Sequence, residues 1–287
     1  MDNATQKFLY ELISQQSPDE AMEWLDQQIK KYQNQSSQRV FNLTFSMLSR
    51  HFNKTALVLT EEAVKNAEQI RSGWDLNQWD VRQAARTYWL LQLPADSFED
   101  YRSVLDRLFA TADVDEQITL YAALPIYAFP EQMVYRASEG IRTNITDVFD
   151  AVALRNPYPA EYMSDGAWNQ MVLKAIFMIR PLYLIQQLDQ RRNSEQARML
   201  IDFAHERWAA GRPVTPELWR GVAPYLTEEH LSDIKHLLEK GSTLEKQAAA
   251  LAIKESENDT LKKLLTGYLL PDEELDWKTI GIMCNEQ

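Results

Sequence analysis

The chain has 287 residues, 45% of them hydrophobic and 25% charged, enough apolar material for a sizeable core and the balance of a globular protein rather than a disordered or fibrous one. Its formal charge of −12 argues against nucleic acid or an anionic membrane surface as a partner. The single cysteine, Cys284, excludes an intramolecular disulfide and a cysteine-based zinc cluster, while only 8 glycines disfavour a sheet protein built on tight hairpins.

In chain order, the N-terminal MDNATQKFLYEL lacks the charged and then apolar regions of a secretory signal, and no stretch nears the ~18 apolar residues of a membrane span. No transmembrane segment and a cytoplasmic location are expected. Helix starts are marked where a short polar side chain can accept from unpaired amides and an acidic residue three positions on can reciprocate: Ser17-Pro18-Asp19-Glu20, Asp113 with Glu116, and Ser242 with Glu245. Ala137, Ile141, Ile145, Val148 and Val152 recur at helical spacing and predict a helix carrying Arg136 through Asn144. Proline-bearing turns near 124–130 and 156–159 follow, and Ser164 or Asp165 can cap the next helix, so 155–165 reads as a bend. A helix capped at Ser194 presents Ala197, Ile201, Ala204 and Trp208 on one face, Gly211 stops it, and Thr215-Pro216 opens the next. Helices are expected near 216–223, 228–239, 243–255 and 259–269. These features predict an all-α fold, an α-α superhelix or HEAT-like array of antiparallel helices, in a single domain over 1–287.

Charge is uneven along the chain. Residues 136–220 carry ten arginines and one lysine against ten acidic residues, although the chain as a whole has thirteen lysines. Arginine's planar fork binds a carboxylate or phosphate through two parallel bonds, so this window is a candidate surface for an anionic metabolite headgroup. The competing structural reading makes Arg136, Arg142, Arg198 and Arg207 clamps through Glu139, Asp202 or Glu206.

Individual side chains sharpen the question. Asn144 falls at the edge of the apolar stripe, where a half-buried amide needs partners, either a second helix or a polar ligand. Arg155 sits in RNPYPAEY just before a helix that is oily nearly all round yet carries Asn169, Gln170 and Lys174. A lysine among Trp168, Met171, Val172, Ala175 and Ile176 has a lowered pKa, suited to proton transfer or Schiff-base chemistry, unless it snorkels or pairs with Glu139 or Asp165. His205 lies four residues after Ile201, beside the apolar face, as a core histidine or a general base. The four histidines show no metal-ligand spacing, and GxGxxG, P-loop, GxSxG and kinase signatures are absent, so no metal or cofactor is expected. Catalytic candidates are thus Lys174 and His205, and ligand-binding candidates are Arg136, Arg142, Asn144, Arg155, Asn169 and Gln170.

The strings EGIRTN at 139–144, VFDAVALRNPYPAEY at 148–162, AWNQMVLKAIF at 167–177, LDQRRNSEQARM at 188–199 and AHERWAAGRPVTPELWR at 204–220 together resemble the EboA family. That resemblance implies an all-helical bacterial protein encoded beside a UbiA-type prenyltransferase, a TatD-like metal hydrolase, a sugar-phosphate cyclase and an isomerase-like barrel. It further implies a setting of specialised-metabolite production and export of metabolite precursors from the cytoplasm, with no family catalytic residues to transfer. The expectation is a non-catalytic helical scaffold or small-molecule carrier whose partners are a metabolite or other proteins of the Ebo pathway. The alternative is an enzyme acting on a prenylated or cyclitol-derived metabolite in a helical cavity.

Overall fold

The computed structural model describes residues 3–268 and 276–286. It is all-α: 72% helical, with 18 α-helices and no strands among the described residues. None of these helices is long and apolar enough to cross a membrane. Packing divides the chain into two compact units, residues 1–162 and 163–287, and the division falls within the stretch whose prolines mark a bend.

The first unit contains α1 (Asn3–Ser14), α2 (Asp19–Gln35), α3 (Gln38–His51), α4 (Glu61–Ile70), α5 (Val81–Leu90), α6 (Phe98–Thr111), α7 (Val114–Ala122), α8 (Val134–Arg142), α9 (Thr146–Ala153) and α10 (Tyr158–Tyr162). Its centre is α5, VRQAARTYWL, against which α1, α3 and α7 pack. Ala84 and Ala85 let neighbours approach closely, and Trp89, wholly buried, stacks on Phe41 and donates its indole N–H to the Phe41 carbonyl at 3.0 Å. A helix surrounded by neighbours has no polar face to spare, so even Arg86 is buried, its guanidinium over the Phe45 ring and 3.7 Å from Glu116. Close approach also fixes Gly140, where a Cβ would lie 2.6 Å from Val152 and 2.7 Å from Tyr121.

The second unit contains α11 (Asp165–Phe177), α12 (Leu188–Arg191), α13 (Ser194–Ala209), α14 (Leu218–Val222), α15 (Leu231–Lys240), α16 (Thr243–Glu255), α17 (Asp259–Leu265) and α18 (Trp277–Asn285). Here α16 is central, and its buried Ala248, Ala249 and Ala252 admit α14, α15, α17 and α18 around it. The expected helix over 259–269 ends at Leu265, and residue 269 lies outside the described residues.

Capping boxes form at Asp113/Glu116 and at Ser242/Glu245 as the sequence predicts. Two caps shift by one residue. Pro18, extended at φ −61° and ψ 146°, takes the position expected of Ser17, whose hydroxyl is buried without a partner. Asn193 rather than Ser194 caps α13, its amide oxygen accepting from Gln196 N–H at 2.9 Å. The larger correction concerns the helix expected across residues 137–152. Thr143 turns extended and its hydroxyl accepts from Ile145 N–H at 3.1 Å, a local bond that competes with the helical ladder, so α8 and α9 are separate helices. Ile145 is accordingly exposed, and Asn144 lies in the connection rather than on a helix face.

Two helices in the second unit end in the same pattern with different residues at its critical point. After α13, Arg212 N–H returns to the Arg207 carbonyl and Gly211 N–H to that of Trp208, with Gly211 left-handed at φ 65°. After α11, Arg180 N–H returns to Ala175 and Ile179 N–H to Ile176, with Ile179 left-handed at φ 55°. A β-branched residue pays a steric penalty there that glycine does not. Because the Ile179 side chain is 77% exposed, little packing offsets it. Ile179→Gly is expected to raise the unfolding free energy by about 1 kcal/mol, and Gly211→Ala to lower it by about 1 kcal/mol, in urea titrations followed by tryptophan fluorescence. Equal stabilities for Ile179→Gly and wild type would mean the left-handed turn carries no strain.

Candidate functional site

Four of the sequence candidates belong to the first unit, at separate places. Arg136, on α8, donates to Asp106 of α6, which also accepts from the Tyr135 hydroxyl, and its guanidinium lies 4.5 Å from the Phe109 ring centre. Burial would raise the Asp106 carboxyl, but the hydrogen bonds from Tyr135 and Arg136 outweigh it and hold it below the ordinary carboxylate range. Arg155, left-handed at φ 56°, donates to Asp75 at 2.7 Å while its carbonyl accepts from Asp75 N–H. Beside it, the buried Asn156 amide donates to the Ala151 and Tyr121 carbonyls and accepts from Tyr158 N–H. Arg142 is exposed, 3.6 Å from Glu139, and Asn144 is exposed.

The other four lie in the second unit. On α11, Trp168, Met171, Val172, Ala175 and Ile176 are buried, Gln170 is exposed, and Lys174 is half-buried with its pKa lowered by that burial. Asn169, buried, exchanges two hydrogen bonds with Asn193: Nδ2 of Asn169 donates at 3.0 Å and Nδ2 of Asn193 returns at 2.8 Å. One turn beyond Asn193, Gln196 is fully buried, and both polar atoms of its amide lack a hydrogen-bond partner, as does the Trp168 indole N–H. The approach of α14 to this place is close, for a Cβ on Gly221 would collide with Leu200 and lie 3.7 Å from Gln196 Oε1. Arg191 closes one side, donating to the Met163 carbonyl and to Asp165 with its guanidinium over the Trp168 ring. Gln196 on α13 and Trp168 on α11 thus contribute three buried polar atoms without hydrogen-bond partners.

Neighbouring arginines act as clamps. Arg220 binds Asp189 through two parallel bonds at 2.7 and 2.8 Å, and Arg192 reaches Glu255 at 2.9 Å. Burial would raise the Asp189 carboxyl, yet the paired bonds from Arg220 hold it below the ordinary range. Of the clamps proposed from sequence, Arg198 bonds Glu195 and Asp202 on its own helix, and Arg207 donates to the Pro213 carbonyl.

His205 lies at the edge of α13, where its Nε2 is 2.9 Å from Asp233 Oδ1 on α15. Asp233 is nearly buried while the imidazole is half exposed, and Trp208 stands between His205 and His236, its ring 4.5 Å from that of His236. Sequence reading missed Asp233 because a partner on another helix leaves no spacing to count. Gln196 had a signal: it is four residues before Leu200 and eight before Ala204, which joins it to the inward face that Ala204 marks.

The family model for the metabolite traffic protein EboA matches residues 5–223, and the chain belongs to that family. No curated protein and no solved structure matches it. The match crosses the division between the two units and includes every candidate residue named above except those on α15 and α16.

Glu217, near the end of the matched segment, is also a residue the sequence did not single out. Its carboxylate is buried and accepts the Leu182 and Tyr183 N–H groups at 3.1 and 2.7 Å, holding the short helical turn at Leu182–Leu184. Gly281 of α18 lies against it, close enough that a Cβ would collide with the carboxylate and the Tyr183 ring. Burial pushes the Glu217 pKa up to about 7, against the pull of those two N–H groups and of Arg220. A native pKa above the unfolded one means that the folded state holds the proton more tightly. Stability from this group is therefore full below about pH 4.5 and is lost as pH rises to about 7. The loss should be on the order of 3 kcal/mol from the size of the shift. Urea titrations from pH 5 to 8 are expected to show this slope in wild type and a flatter one in Glu217→Gln; parallel slopes would show that another group sets the dependence.

Proposed function

We propose that this member of the EboA family is a cytoplasmic, non-catalytic helical carrier or scaffold for a small polar metabolite. In this reading the metabolite is held by the amide-lined interior around Trp168, Asn169, Asn193 and Gln196. The observation that carries the reading is Gln196, fully buried with neither amide atom satisfied. An unpaired buried amide costs about 1–3 kcal/mol, which a bound hydroxyl or carbonyl group returns. With the Trp168 N–H also unpaired, the interior offers two donors and an acceptor and no charge, which suits a polyol or carbonyl-bearing ligand. The family's description as a metabolite traffic protein supports a small-molecule cargo. Arg136 and Arg155, each closed on a carboxylate, hold helices rather than ligand, while the exposed Arg142, Asn144 and Gln170 are available to a partner protein of the pathway.

A second, enzymatic reading rests on His205. An imidazole fixed at 2.9 Å by a buried carboxylate is oriented for proton transfer to a bound molecule. In that case the cargo would be altered rather than only held.

Mass spectrometry of small molecules accompanying the purified full-length protein separates these possibilities. A compound enriched with wild type is expected to fall at least tenfold with Gln196→Leu and with Trp168→Phe, while Gln196→Leu melts at or above the wild-type temperature because a polar demand has been removed. If Gln196→Leu is equally stable and carries the same compounds, or wild type carries none, the interior binds only water and the carrier reading of this site fails. Conversion of the compound to a species of different mass on incubation, abolished by His205→Asn, would favour the enzymatic reading.

A further inference from the structure

A groove in the first unit, distant in sequence from every candidate considered so far, has the makings of a second binding site. It has a volume of about 620 Å³, within the range of small-molecule sites, and lies between one face of α3 and the end of α6. Arg39 and Arg107 project at its edges, both exposed, and no carboxylate among the described residues pairs with either. Arg107 instead donates to the side-chain carbonyl of Gln38, a neutral partner that leaves its charge uncompensated. Both arginines therefore retain the capacity to bind an anion through their forks.

Four further features favour an anionic ligand. The groove meets the first turn of α3, which carries no acidic residue, so its partial positive charge adds to that of the arginines. Glu116, the one carboxylate at the groove, is nearly buried, accepts from Asp113 N–H and faces Arg86 at 3.7 Å, so its charge is compensated from below. Asn42 lines the same groove, and its amide oxygen is buried and has no hydrogen-bond donor. A carboxylate or phosphate alone would not satisfy that oxygen, whereas a hydroxyl close to the anionic group would donate to it. Leu43 and Leu108 give the groove an apolar wall for a carbon skeleton.

We infer that the Arg39–Arg107 groove binds a small hydroxylated organic anion, gripping its carboxylate or phosphate between the two guanidinium groups and a neighbouring hydroxyl at Asn42. The inference stands on the first unit alone and is independent of the amide interior around Gln196, so either can fail without the other.

Calorimetric titration of the full-length protein tests it with gluconate as the carboxylate probe, glucose 6-phosphate as the phosphate probe, and glucose as the uncharged control. Binding of either anion at least tenfold tighter than glucose is expected, and which one binds identifies the headgroup. Arg39→Gln with Arg107→Gln should weaken that binding at least tenfold, while Arg50→Gln, on α3 outside the groove, should not. Asn42→Ala should weaken the hydroxylated anion but leave binding of inorganic phosphate unchanged. Thermal melts of each variant establish that it is folded; both altered arginines are exposed, and the bond lost between helices is that of Arg107 to Gln38. Absence of binding by both anions, binding of glucose equal to theirs, or undiminished binding by the folded double variant would each overturn the proposal.

Discussion

Short helices have many ends, and closing those ends is the constraint on which this fold depends. Each terminus leaves up to four backbone groups without an intrahelical partner, a heavy demand when helices run from four to seventeen residues. The chain meets it with side chains: the reciprocal boxes at Asp113 and Ser242, the single caps at Thr60, Asp80, Ser97, Asn193 and Asn258, and the returning turns at Gly211 and Ile179. Glu217 extends the same device across the sequence, satisfying two amides more than thirty residues away. There the cap is buried, and its charge becomes a liability that a surface cap does not carry.

Arginine serves the same economy between helices. Arg136 with Asp106, Arg155 with Asp75 and Arg220 with Asp189 each join elements separated by thirty or more residues. A guanidinium can bond a carboxylate while its flat face rests on an aromatic ring, as Arg136 does on Phe109 and Arg191 on Trp168. Enrichment in arginine over 136–220 is therefore largely accounted for by packing, whereas the two arginines at the groove on α3 and α6 lie outside that window. Local density of a residue type is a poor guide to its use. What matters is whether a partner of opposite charge is already in place.

Much of the fold was legible in the sequence because its signals are local. A capping box occupies four consecutive residues, and Asp113, Ser242 and Gly211 each act where the pattern places them. Legibility ended where a local bond competed with periodicity, as at Thr143, and where a residue took a conformation it disfavours, as at Ile179. The candidate interior was half visible: Asn169 and His205 stood out as polar groups on oily faces, but their partners Asn193 and Asp233 lie on other helices and share no spacing with them. Glu217 was hidden for a different reason. It sits just before α14, where a polar residue looks ordinary, and only burial reveals it as unusual.

The reciprocal bonds between Asn169 and Asn193 have a consequence for how the chain can vary. Two amides exchanging donor and acceptor resemble a base pair, in that neither half can be altered without stranding the other. Aspartate at either position supplies two acceptors against one donor, and an aliphatic side chain at either leaves a buried amide facing hydrocarbon. Asn193 is further bound by its cap on Gln196 N–H, so its freedom is less than that of Asn169. The two positions, twenty-four residues apart, thus behave as one letter of the sequence, fixing α11 and the start of α13 in register by a rule that no single position contains.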